Sequence, residues 1–324
     1  MRFGDFVGNA DVKARLSSMV DAGHFPHALL LEGEPGSGRK TLAMTVARAA
    51  VCRGNGEKPC GICAACIKSA HPDITLYGGD GKPISVDTVR DLRQEAFILP
   101  NESPYRVMIL ADAQTMTPQA QNALLKILEE PPAHVLFFLT CENRAELLET
   151  IRSRTVCLTL QPVGWEDAAP LLRARLPQTD PEQLRQAHAL FGGRIGRVLD
   201  GVTDGTFRRA TELIPRFALA LIAPQELDLL LLTGELEKDR ELTAGVLAGL
   251  QVVLRDALAI RYGSPTRLST APQAAQKLAN RLPGNRLMAL TEQTEALGRD
   301  LERNMNNTLF LTRMAACLRR AAGN

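Results

Sequence analysis

Four cysteines fall in one short run, Cys52-Arg-Gly-Asn-Gly-Glu-Lys-Pro-Cys60-Gly-Ile-Cys63-Ala-Ala-Cys66. Zinc takes four ligands in a tetrahedron, and a C-x-x-C turn presents two sulfurs to one ion. Cys60, Cys63 and Cys66 lie too close in sequence for three independent structural roles. Cys52 is the natural fourth ligand, and His71 is its rival. Nothing in the run suggests an open, water-bearing position, so a structural zinc is expected rather than a catalytic one. The bland alternative is a set of free buried thiols, which the intervening glycines and proline make a poor fit. Cys141, Cys157 and Cys317 stand apart in apolar surroundings and read as ordinary buried residues.

A second constellation precedes the cysteines. The segment Gly33-Glu-Pro-Gly36-Ser-Gly38-Arg39-Lys40-Thr41 follows an apolar run and opens a helical pattern. This is the setting of the phosphate loop G-x-x-x-x-G-K-[ST], whose amides cradle phosphates, whose lysine reaches the terminal phosphates and whose hydroxyl holds magnesium. Gly33 and Gly38 match. Arg39 takes the lysine position and Lys40 the hydroxyl position, so the Lys40-Thr41 pair is displaced by one residue, which turns both groups by about 100° on a helix. A lysine at the magnesium position also repels the cation. Hydrolysis further needs a strand that ends in adjacent carboxylates. Here Asp112 stands alone between Ala111 and Ala113. These residues read as a phosphate-loop scaffold that has lost efficient hydrolysis, with ATP binding left open by the surviving amides of residues 36–40. The flanking readings are a mere glycine turn and an active ATPase.

The elements that must position these groups alternate. Asn9 is placed to cap a helix with Val12, Leu16, Met19 and Val20 on one face, stopped by Gly23. Residues 28–31 form a buried strand, and 40–51 the helix after the loop. Strands are expected at 74–77, 107–110 and 135–139, with helices opened by Ser85 and by Thr117-Pro118 between them. This order implies an α/β fold with a parallel sheet covered on both faces. The second half has no convincing strand beyond 157–160. Helical patterns run over 165–176, over 180–190 behind an Asp180 cap, over 240–262 and continuously over 285–321.

At 324 residues two or three domains are expected. No run is apolar for long enough to span a bilayer and the first residues carry no apolar signal region, so the chain reads as cytoplasmic with no membrane partner. With 38 basic and 36 acidic residues the net charge is +2. That near-balance speaks against gripping DNA by bulk charge.

Together these residues resemble the bacterial DNA polymerase III clamp loader, within the AAA+ family. The resemblance rests on the loop 33–41, the four cysteines, Arg106-Val-Met-Ile-Leu-Ala-Asp112, Asn122-Ala-Leu-Leu-Lys-Ile-Leu-Glu-Glu-Pro-Pro132 and Ser153-Arg154-Thr155. It covers about the first 200 residues closely and the helical tail in general character. It implies an AAA+ αβα domain over 1–162 with a zinc module at about 52–66. A small helical lid over 163–205 and an all-α collar, or oligomerisation domain, over 206–324 would follow. The family's gamma/tau subunits are its ATPases; another member has a degenerate nucleotide site. Ala111 takes the place of the family's magnesium aspartate and Asp112 that of its catalytic glutamate. Gly196, beside Arg197, stands where the motor subunits carry a phosphate-sensing arginine. All three differences point to the degenerate member. Arg154 matches the family's arginine finger, which reaches a neighbour's ATP; without that context a solvated or salt-bridged arginine would be the preferred reading. Thr140 and Asn143 fall in the family's sensor region. The implied partners are gamma/tau and delta subunits and, through the complex, the sliding clamp and primer-template DNA. An active gamma/tau-like ATPase subunit is the alternative, and a zinc-dependent DNA-binding regulator a more distant one.

Overall fold

The computed structural model describes residues 1–237, 239–264, 268–301 and 306–323. The chain divides into two compact units, Met1–Leu171 and Leu172–Asn324.

The first unit is built on strands β1 (Ala28–Glu32), β2 (Ile74–Gly78), β3 (Arg106–Ala111), β4 (Val135–Cys141) and β5 (Val156–Thr159). They form one parallel sheet in the order β2-β3-β4-β1-β5. Its helices are α1 (Ala10–Asp21), α2 (Arg39–Val51), α3 (Ala64–Ile67), α4 (Val86–Ala96), α5 (Pro118–Glu129) and α6 (Glu149–Arg152). The three central strands are almost wholly buried, whereas β2 and β5 are partly exposed edges. Side chains alternate between the faces of a strand. Val107 and Ile109 therefore join Leu29, Leu31 and Phe138 beneath Leu16 of α1 and Leu42 of α2. Met108 and Leu110 join Leu30, Phe137 and Leu139 beneath Leu92 of α4 and Leu124 of α5. This two-sided burial explains why these strands read as unbroken apolar runs.

Because all strands run the same way, their carboxyl ends share one edge. Glu32 is level with Cys141 and Thr159, and Gly78 with Ala111. Open α/β sheets bind ligands outside this edge.

Ser85 and Thr117 cap α4 and α5 as expected, accepting from the backbone N–H of Thr88 and Ala120. Asn9 differs. It precedes α1 but adopts a left-handed conformation, φ 52°, which turns its side chain away from the helix. Its amide instead pairs with the backbone of Gln161, accepting from the N–H at 2.7 Å and donating to the carbonyl at 3.1 Å. Asp73, just before β2, is fully buried. Its carboxylate accepts from the backbone N–H of Asn101, Glu102 and Ser103 at 2.5–2.9 Å, which fixes the approach to β3.

The described part of the second unit is helical. Asp180 caps the helix Pro181–Leu190 by accepting from Glu182 and Gln183 N–H. The helix Arg240–Arg261 is long and apolar enough to cross a membrane by length and composition, yet 56% of that apolar window is buried within the protein. It packs against Thr206–Ala220, Pro272–Arg281 and Gly284–Leu301. Gly249 leaves room for Ile214, since a Cβ there would lie 2.1 Å from Ile214 Cδ1. The continuous helix expected over 285–321 is two helices, Gly284–Leu301 and Asn307–Ala322. Asn306 has extended backbone and caps the second by accepting from Leu309 N–H, so an asparagine inside the apolar pattern starts a new helix. Arg319 is buried, and its Nη1 donates to the carbonyls of Ala220 and Ala223 at 3.3 and 2.8 Å.

Candidate functional site

The phosphate loop connects β1 to α2 at the carboxyl edge of the sheet. Gly36 and Gly38 both have positive φ, 82° and 90°, which lets the backbone fold back on itself. Gly33 donates its N–H to the Cys141 carbonyl at 3.1 Å. A Cβ on Gly33 would lie 2.8 Å from Ser37 Oγ. The Phe6 ring is 3.2 Å from where a Gly38 Cβ would be, and the Lys13 ammonium sits 5.6–5.7 Å from the Phe3 and Phe6 ring centres.

Arg39, in the lysine position, does not project as a free cation. It is buried, and its Nη2 lies 3.4 Å from Asp112 Oδ1 and 3.7 Å from Glu142 Oε1. Lys40, in the hydroxyl position, is laid against Gly79. A Cβ on Gly79 would be 2.9 Å from Ala111 Cβ and 3.2 Å from Lys40 Nζ. Thr41 is exposed, and its carbonyl accepts from Thr45 Oγ1. The residues present therefore do not fit magnesium: a lysine and an alanine stand where ligands are needed, and the carboxylate of Asp112 is engaged by a guanidinium. The loop does keep donors for an anion. Its amides survive, and Ser37 Oγ and Arg39 Nη1 are buried without a protein partner.

Asp112 itself has φ 55°. Its N–H donates to Thr140 Oγ1 at 3.0 Å, and its carbonyl accepts from Thr115 Oγ1 at 2.8 Å. Thr140 thus holds the end of β3. Asn143 Oδ1 accepts from Ala145 N–H, a local turn bond. Arg197, next to Gly196, pairs with Glu241. Glu142 was missed in the sequence because nothing local marks it; only the pairing of β1 with β4 brings it to Arg39.

Arg154 lies in the turn after α6, on the path into β5. Its Nη2 is 2.9 Å from Glu129 Oε1, and its Nη1 donates to the Thr150 carbonyl at 3.0 Å. The side chain remains 35% exposed.

The cysteine run forms a compact cluster. The sulfurs of Cys52, Cys60, Cys63 and Cys66 all lie within 4.8 Å of one another. Cys52–Cys63 and Cys60–Cys66 are separated by 4.0 and 3.9 Å. Four sulfurs at zinc–sulfur distances of about 2.3 Å would be ~3.8 Å apart, so the donor set has the right type, number and size for zinc. Backbone N–H groups of Gly54 and Cys60 donate to Cys52 Sγ, and that of Cys63 to Cys60 Sγ. Burial pushes the Cys63 thiol up, but hydrogen bonds from Arg53, Cys66 and Cys60 outweigh it and bring it down to about 6. Gly54 has to be glycine, since a Cβ there would be 2.6 Å from Cys60 Sγ. His71 is not in the cluster; its Nδ1 accepts from Asp73 N–H at 3.1 Å. Of the cysteines read as buried, Cys141 is, whereas Cys157 and Cys317 are half-buried. Cys157 sits on the edge strand β5 with the Arg144 guanidinium 3.6 Å from its sulfur.

Residues 8–164 match the family described as DNA polymerase III, delta subunit, and residues 211–318 match DNA polymerase III, delta subunit, C terminal. The chain is 32% identical to the DNA polymerase III subunit delta' of Escherichia coli K12 over 283 residues, covering 85% of this chain and 83% of that one. It is 39% identical to the subunit gamma/tau of Mycobacterium tuberculosis H37Rv over 164 residues, 47% of this chain. It spans only 27% of the length of that relative. A parallel α/β core with an altered phosphate loop, joined to these matches, places the chain among the clamp-loader subunits of DNA polymerase III. Within them it belongs to the delta' family.

Proposed function

We propose that this chain is the non-hydrolysing, stator-like subunit of a cytoplasmic DNA polymerase III clamp loader. It joins gamma/tau and delta subunits in a ring that opens the sliding clamp and places it on primer-template DNA. The observation that carries this reading is the ion pairing of Arg39 with Asp112 and Glu142. One arm of the group that should reach ATP, Nη2, is turned to the chain's own carboxylates, and magnesium has no ligand beside it, so turnover at this site is absent. Arg154, by contrast, lies outside that site and keeps part of its guanidinium in solvent. It acts in trans, stabilising charge that develops on a neighbour's ATP, as arginine fingers do. The four-cysteine cluster holds one structural zinc. The chain works as three parts, an AAA+ domain over 1–162, a lid over 163–205 and a collar over 206–324.

Reconstitution with gamma/tau and delta subunits tests this directly. The chain alone should not turn over ATP, and the assembled complex should hydrolyse it when clamp and primed DNA are added. ATP turnover by the isolated chain that disappears in Asp112→Ala would instead favour an active gamma/tau-like subunit.

A further inference from the structure

The helix α5 ends in two consecutive acids, Glu129 and Glu130, before Pro131 and Pro132. A helix C-terminus carries partial negative charge and favours cations, so acids are misplaced there. Such a local violation asks for a compensating interaction or a use. Glu129 has one: its Oε1 takes Arg154 Nη2 at 2.9 Å. The same helix also holds the segment that leads to Arg154. Gln121 of α5 is buried, and its Oε1 accepts from Leu148 N–H at 2.8 Å while its Nε2 donates to the Glu146 carbonyl at 3.3 Å. Ile151 of α6 is fully buried in the core beneath α5, and Arg154 N–H donates to its carbonyl. The turn that bears Arg154 is therefore suspended from α5 at two places, its backbone near one end of the helix and its guanidinium at the other.

We propose that Glu129 is a positioning residue for Arg154. The inference rests on the reading of Arg154 as a group that acts on a neighbour's ATP. An arginine has several rotatable bonds and many conformers, and a finger works only in a narrow range of them. The Thr150 carbonyl fixes Nη1 and the Glu129 carboxylate fixes Nη2. A guanidinium has five N–H donors, so donors remain for a phosphate. Glu129 thus sets the direction of the charge without touching the nucleotide. The geometry also explains why the acid belongs at the last turn of α5: the following prolines stop the helix, so the carboxylate is delivered from a rigid end.

The test uses full-length chain in the complex reconstituted with gamma/tau and delta subunits, with clamp and primed DNA present. Four forms are compared: wild type, Glu129→Gln, Arg154→Ala and the double variant. Glu129→Gln keeps size and polarity while weakening the hold on the guanidinium. It should remove a third or more of the stimulated kcat that Arg154→Ala removes, leave KM for ATP within twofold, and change nothing when added to Arg154→Ala. Glu129→Asp, which keeps the charge, should recover part of the loss. Wild-type kcat in Glu129→Gln alongside a loss in Arg154→Ala overturns the positioning role and leaves the finger standing. A loss in Glu129→Gln that persists undiminished in the Arg154→Ala background also overturns it, because the acid would then act elsewhere. Wild-type kcat in Arg154→Ala overturns the parent reading itself.

Discussion

Two arginines divide the chemistry of the first unit. Arg39 and Arg154 each meet a carboxylate of their own chain, but in opposite circumstances. Arg39 is buried at the N-terminus of α2 between Asp112 and Glu142, so its charge is cancelled where it stands. Arg154 is held by Glu129 at the surface and is a third exposed. The same residue type is buried against two acids in one place and partly exposed beside one acid in the other. Burial and the number of facing acids decide which, since a charge in a low-dielectric site must be matched locally whereas one at the surface need not be.

The largest expected effect breaks the comparison at Arg154. Replacing it with alanine should leave folding and assembly intact and abolish its contribution to stimulated ATP hydrolysis. Fingers of this kind are worth roughly 10³–10⁵ in rate at one site, diluted in the steady state by the other sites of the ring. Arg154→Lys should recover only part, because an ammonium lacks the planar fork. Normal clamp loading by the alanine variant would leave a purely structural place in the ring.

Next comes the metal. Elemental analysis should find one zinc per chain, and Cys63→Ser should release it. Structural zinc contributes on the order of 10–16 kcal/mol to small zinc modules, so the 52–66 segment should lose protection from hydrogen exchange in that variant. Metal-free protein of undiminished thermal stability would refute the assignment.

Asp73 offers a smaller effect with a pH signature. Burial pushes its carboxyl up, but the N–H groups of Asn101, Glu102 and Ser103 and the Ser103 hydroxyl outweigh this and hold it below the usual carboxylate range. A depressed pKa stabilises the fold fully above the unfolded value, near 4, and the contribution is lost as pH falls through the folded value. Asp73→Asn should therefore cost about 2–3 kcal/mol in urea unfolding at pH 7. The gap to wild type should shrink below pH 4, and a pH-independent gap would show that the carboxylate charge is not what matters.

The smallest effects sharpen the contrast between the arginines. Arg39→Ala strands two acids and should destabilise the isolated chain by about 1–3 kcal/mol, reduced from a fully buried pair by the exposure of Asp112 and Glu142. Arg154→Ala should cost the isolated chain under about 1 kcal/mol, as surface pairs do. Equal costs in thermal or urea unfolding would erase the distinction drawn here.

Much of this was legible in the sequence, for reasons that can be named. The central strands were found because two-sided burial leaves unbroken apolar runs, and the cysteine cluster because its four thiols are neighbours in the chain. The departures of the phosphate loop from its motif were visible as residue types. What they had become was not. The Arg39–Glu142 contact depends on β4 lying beside β1, and no local pattern encodes that. Asn9 looked like a cap, but its left-handed backbone gave the side chain to Gln161. The break at Asn306 was hidden because the apolar periodicity resumes on the far side of it.

The hydrogen bonds from Arg319 to Ala220 and Ala223 span 99 and 96 residues. They satisfy carbonyls at the end of an early helix of the second unit with a side chain from its last helix. During vectorial synthesis those carbonyls leave the ribosome long before their donor is made. At typical translation rates the interval is roughly 5–20 s. Over that time the helical unit is without its final helix.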